Sequence, residues 1–128
     1  MTDDTNNEDP RGLRVLSSDD AYLCLVNGDI DGFNAAVENR DLIDFSGTNL
    51  RGVDLRRADL SKVTIRGAHM KRADLRGLDL SSHDLHGCSI NAAQISGVLF
   101  PANVPAEEVR MSVELGTRIR TSGTLGRK

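Results

Sequence analysis

The sequence predicts an all-β solenoid: a small β-helix running from about Ile43 to Ala102. Three observations predict it. Every fifth residue from Phe45 is apolar without interruption: Phe45, Leu50, Leu55, Leu60, Ile65, Met70, Leu75, Leu80, Leu85, Ile90, Ile95 and Phe100. Two places earlier in each unit stands a residue that is mostly small or aliphatic, from Ile43, Thr48 and Val53 to Ala93 and Val98. Six of the twelve residues two places after the apolar centre are glycine: Gly47, Gly52, Gly67, Gly77, Gly87 and Gly97.

The period excludes the common alternatives. In an α-helix a step of five turns the apolar position by about 140°, which spreads it around the whole cylinder. In a straight strand side chains alternate, so a step of five changes face each time. The two apolar sites within a unit are two apart, which is strand spacing. A chain that corners once per unit keeps every such pair inside, and glycine takes the positive φ of a type II corner without strain.

The units Ala58-Asp59-Leu60-Ser61-Lys62 and Ala73-Asp74-Leu75-Arg76-Gly77 show the pattern A-[DN]-L-x-x, which resembles the pentapeptide repeat family. The resemblance implies a right-handed quadrilateral β-helix with four units per coil. Twelve units then make three coils, a tower about 15 Å tall at a strand spacing of about 4.8 Å. That register stacks residues twenty apart. Leu55, Leu75 and Ile95 form one interior column, and Leu60, Leu80 and Phe100 another. Thr64, His69, Leu78, His83 and Leu99 depart from the family's usual choices, which bears on the regularity of the last coil.

The flanks read differently. Residues 1–17 read as a polar N-terminal tail. Residues 18–42 read as an N-terminal helical cap, because an open β-helix end exposes unpaired backbone and needs covering. Ser18-Asp19-Asp20 starts a first helix, Asn27-Gly28 stops it, and Ile30, Phe33 and Val37 share one face of a second. The repeat spans 43–104. Residues 105–128 read as a C-terminal capping or dimerisation segment and tail. Pro105-Ala106-Glu107-Glu108 is a helix start and Gly116 a stop, whereas Val109, Met111, Val113 and Leu115 alternate as in a strand; helix is favoured.

A length of 128 residues with 3% aromatic residues and no tryptophan fits one domain with a narrow aliphatic core. No stretch has the eighteen or more apolar residues of a membrane span. The start, with Asp3, Asp4, Glu8 and Asp9, lacks the pattern of a signal peptide, and the two cysteines, Cys24 and Cys88, make no disulfide framework. The expectation is a cytoplasmic protein with reduced thiols. Charge is uneven: residues 1–42 hold ten acids and three bases, and 43–102 six acids and eight bases.

No catalytic, cofactor-binding or metal-ligating set is expected. His83 and Cys88 point inward in this register and His86 outward, so they do not converge on one ion. Asp54 with Asp74, and Asp59 with Asp79, are stacked carboxylates on a convex surface with arginine neighbours, without a cleft for acid–base work. The candidate partner-binding face is basic: Arg51 beneath Lys71, Arg56 beneath Arg76, with Arg57 and Arg72 nearby. Interleaved aspartates and the lack of an outward aromatic disfavour nucleic acid. The expected function is a non-enzymatic, rigid protein-interaction or scaffold module whose partner is unknown. One alternative, implied by the resemblance, is a DNA mimic that binds DNA gyrase, as in quinolone resistance. Another is a self-assembling unit, a homo-oligomer formed through the C-terminal segment.

Overall fold

The computed structural model describes residues 7–122. The period of the sequence returns in its backbone hydrogen bonds. Leu50 N–H donates to His69 O, Leu55 to Asp74, Met70 to Ser89 and Leu75 to Gln94, at 2.7–2.9 Å. Return bonds run from His69 N–H to Thr48 O and from Asp74 N–H to Val53 O. Parallel bridges join Asn49 to His69 to Ser89, and Asp54 to Asp74 to Gln94. Each bridge pairs residues twenty apart, so four units make a coil and successive coils stack.

Regular strand is scant compared with the all-β expectation. The described residues hold four two-residue strands, β1 (Asn7–Glu8), β2 (Arg14–Val15), β3 (Ile43–Asp44) and β4 (Val63–Thr64). They also hold three helices, α1 (Asp20–Val26), α2 (Ile30–Glu38) and α3 (Ala106–Leu115). The reason is the corner in every unit, which leaves each side of a coil too short for a ladder to grow beyond a bridge or two.

The corners explain the composition of the repeat. Where the residue before an apolar centre is Asp or Asn, its side chain accepts the N–H of the residue after that centre: Asn49 from Arg51, Asp54 from Arg56, Asp59 from Ser61, Asp74 from Arg76, Asp79 from Ser81. This is the local side-chain turn that Asp and Asn favour. All six predicted corner glycines have positive φ, and so do Arg72 and Ala92. At Gly67 a Cβ would stand 3.7 Å from the Gly47 backbone, so the strain of a substitution there lies in φ, not in space.

Inside, Leu55, Leu75, Leu60 and Leu80 are buried as their columns require. Ile95 and Phe100, at the top of those columns, are only partly buried. The cause is the C-terminal cap. Helix α3 closes over one side of coil three: Ile90 N–H donates to Ser112 Oγ, and Ala92 N–H and Asn91 Nδ2 to Val113 O, each at 3.0 Å. Over the sides of Ile95 and Phe100 it leaves a groove of about 540 Å³ lined by Ile95, Phe100, Val104, Val109 and Val113.

Helix α3 decides the ambiguity of the C-terminal segment in favour of helix. It begins after Pro105 and ends at Gly116, whose φ is 78°. The chain then adds a rung to the tower: Gly87 N–H donates to Ile119 O and Ile119 N–H to Cys88 O, both at 2.8 Å. Glu108 holds Arg120 through its backbone N–H and its guanidinium.

At the other end, α1 and α2 cover coil one as expected. Asp19 caps α1 at Tyr22 N–H and pairs with Arg40 at 3.0 Å, tying the end of one helix to the start of the other. Ile30, Phe33 and Val37 are buried. Tyr22 and Phe33 pack on Phe45 with ring centroids 5.6 and 6.3 Å away. Asn34 clips the lower edge, donating to Arg57 O and accepting from Asp59 N–H.

The reading of 1–17 as a tail is corrected for the described part of it. Strands β1 and β2 pair antiparallel, Leu13 and Leu16 are buried, and Arg14 bridges Thr48 as a rung beneath coil one. The two apolar anchors stand outside the five-residue period, so no repeat marks them. Residues 1–6 and 123–128 of the predicted tails lie outside the described residues.

Candidate functional site

Four of the six predicted basic residues fall on two adjacent sides of the coil, not on one face. The bridges place Arg51 and Lys71 on the side of Asn49, His69 and Ser89, and Arg56 and Arg76 on the side of Asp54 and Asp74. Arg57 and Arg72 stand at corners, both exposed.

On the second side the charge is largely spent. Arg56 contacts Asp54 at 2.8 Å and, one rung up, Asp74 at 3.2 Å, and Arg76 contacts Asp74 at 2.7 Å. These bonds hold the Asp54 carboxyl down at about 2, first through the Arg56 side chain and then through its N–H. Asp74 is lowered in the same way, chiefly by Arg76. Carboxylates so engaged are poor proton acceptors, and the stacked pair is a charge ladder of alternating sign.

The first side differs. Where the other sides carry Asp44 and Asp84, Asp54 and Asp74, or Asp59 and Asp79, it carries Asn49, His69 and Ser89. Arg51 and Lys71 make no ion pair among the described residues. Two more cations join them from outside the repeat. Arg11, from the loop between β1 and β2, brings Nη1 to 3.4 Å from His69 Nε2. Arg118, from the rung after α3, anchors Nη1 on Gly87 O at 2.8 Å. The His69 pKa is lowered, first by burial and then by the charges of Arg11, Arg118, Lys71 and Arg51. Asp9 lies here too, but it is occupied: it accepts from the N–H groups of Arg11 and Leu13 and from Asn49 Nδ2, and it pairs with the Arg11 guanidinium at 3.4 Å. The missing aspartates at a spacing of twenty are legible in the sequence; the arrival of Arg11 and Arg118 is not.

The remaining candidates each have a structural partner. His83 Nε2 donates to Leu60 O at 2.8 Å, which leaves Nδ1 buried and without a hydrogen bond. Cys88 Sγ donates to Ile65 O at 3.0 Å, and burial pushes its thiol up to about 12. His86 Nδ1 lies 3.1 Å from Thr121 Oγ1. Among the described residues no three of His, Cys, Asp and Glu gather around one point, and no helix is long and apolar enough to cross a membrane.

Stacked coils with an aliphatic interior and all their charge outside define a repeat protein whose chemistry is displayed on its sides. The family model for pentapeptide repeats matches residues 43–77 and 54–91, with eight copies. The chain therefore contains pentapeptide repeats, which imply a right-handed β-helix in general; the match leaves α1, α2 and α3 outside it. No curated protein and no solved structure matches the chain.

Proposed function

We propose that the chain is a non-enzymatic interaction or scaffold module of the cytoplasm, a right-handed quadrilateral β-helix of three coils that presents fixed rows of charge to a protein partner. The observation that carries this is the ladder itself. Arg51 and Lys71, and likewise Arg56 and Arg76, are held one rung apart by backbone bonds, so their spacing is set before any partner arrives. Preorganised charge of this kind serves specificity and encounter rate. The test is capture of partners from the native host's lysate beside a variant with Arg51, Arg56, Lys71 and Arg76 all changed to Glu. Loss of a specific partner from a folded variant supports the module; retention of every partner removes these rows from its function.

A second reading, self-assembly, is favoured by the open top of coil three. The N–H groups of Ile95 and Gly97 have no partner among the described residues. Ile95 lines the apolar groove, and Leu99 is 59% exposed. An unpaired edge beside apolar surface is a template for a second chain. Light scattering on the chain and on a Leu99→Lys variant tests it: a dimer that the variant dissolves supports the reading, and a monomer in both refutes it. The mixed charge of the repeat block, eight bases to six acids, gives a DNA mimic no support.

A further inference from the structure

The structure points to one binding side and to the chemistry of its partner: we infer that Arg11, Arg51, His69, Lys71 and Arg118 form a docking strip for an extended, carboxylate-rich protein segment. This rests on the interaction-module reading and narrows it to one side and one kind of ligand.

Three observations converge. The first is the absence of counter-charge. This is the one side of the repeat where no unit places aspartate before its apolar centre, so Arg51 and Lys71 lack the partner that Arg56 and Arg76 have. The second is recruitment from both ends. Arg11 and Arg118 come from segments that fold onto this side, and the charges that act most on His69 are all positive. Four cations against the occupied Asp9 leave a net of about +3 in a protein whose net charge is −3, a separation that focuses field lines on this side. The third is geometry. The rungs at Arg14, Thr48–Asn49, His69, Ser89 and Ile119 stack in succession. Four steps of about 4.8 Å span about 19 Å, the length of about six residues of extended peptide.

The fit to carboxylates over a nucleic acid comes from what lies between the cations. Asn49, Ser89 and Asn91 are small residues whose polar atoms are turned inward or already bonded, Ser89 being buried, so they keep the strip low between the cations, and no aromatic residue stands among them to stack a base. Arg11, Arg51 and Arg118 are exposed, whereas Lys71 and His69 are half-buried, so the strip has a floor and three raised arms. Arginine forks suit carboxylates bidentately.

The experiment is fluorescence anisotropy with the full chain and a labelled ten-residue oligoglutamate, beside oligoglutamine and a ten-nucleotide single-stranded DNA, at one ionic strength near physiological. The expected result is oligoglutamate binding at least tenfold tighter than oligoglutamine. Arg51→Glu with Lys71→Glu should weaken it at least tenfold, and Arg56→Glu with Arg76→Glu less than threefold. Circular dichroism melts confirm that both variants fold; if the first does not, Arg11→Gln with Arg118→Gln replaces it, with the same loss expected. Equal losses in the two pairs, or no preference for glutamate, overturns the strip. Tighter binding of the oligonucleotide overturns the partner class. The broader module reading is judged separately by the lysate capture: a partner that survives Arg51→Glu with Lys71→Glu but not Arg56→Glu with Arg76→Glu keeps the module and refutes this side of it.

Discussion

Leu75 and Ile95 occupy the same interior column one rung apart, and truncating each to alanine separates period from burial. Leu75 is fully buried, with coils below and above it. Removing its three terminal carbons forfeits about 0.8 kcal/mol each, and the closed cavity left behind raises a typical Leu→Ala loss to about 3–5 kcal/mol. Ile95 loses as many carbons, but it lines the open groove beneath α3. Its side chain is already partly in water and leaves no sealed void, so about 1 kcal/mol is expected. For a domain of this size about 4 °C in Tm accompanies each kcal/mol. Leu75→Ala should therefore lower Tm by about 12–20 °C, and Ile95→Ala by about 4 °C. Urea unfolding followed by circular dichroism supplies the free energies, with the slope m unchanged as the control that both variants unfold from the same compact state. Equal losses, or a larger loss at Ile95, would mean that the column is sealed at the top and that α3 does not divide coil three as described.

Three further outcomes are expected. Ser112→Ala should cost about 1–3 kcal/mol in urea unfolding, because it strips the acceptor from the buried Ile90 N–H; an unchanged midpoint would show that α3 is not what closes that edge. The pH dependence should have two parts. His69 is lowered in the folded state, so stability is full when it is neutral and falls as pH drops below its unfolded value near 6.5. Asp19, Asp44, Asp54 and Asp84 are lowered too, and the stability they contribute above about pH 4 is lost on further acidification. Urea midpoints from pH 8 to 5.5 should decline in the protein and be flat in His69→Gln; the same slope in both would remove His69 as the cause. Last, Cys88 should resist a thiol reagent until the protein unfolds, being buried and donating to Ile65 O, while the half-buried Cys24 reacts first; two equal rates in the folded protein would contradict the packing of coil three.

The period of five by itself determined the most about this protein. Because every apolar centre must face inward and every unit must corner, the sequence dictates a cornering chain around an apolar interior, and the resemblance to pentapeptide repeats adds the twenty-residue register. The bridges Asn49–His69 and Asp54–Asp74 and the burial of Leu55, Leu60, Leu75 and Leu80 follow from it. The helix pair at 20–38 was legible for a similar reason: caps and apolar spacing are local signals. What only the tertiary structure decided lies where no period operates. Arg14 and Ile119 stand outside the five-residue period, yet they add rungs below and above the coils, since an open edge of backbone donors and acceptors binds whatever strand the flanks can bring to it. Those same flanks carry Arg11 and Arg118 to His69 and leave Ile95 and Phe100 half-covered. A repeat sets what neighbours twenty residues apart will do; how the ends close over it depends on contacts made once.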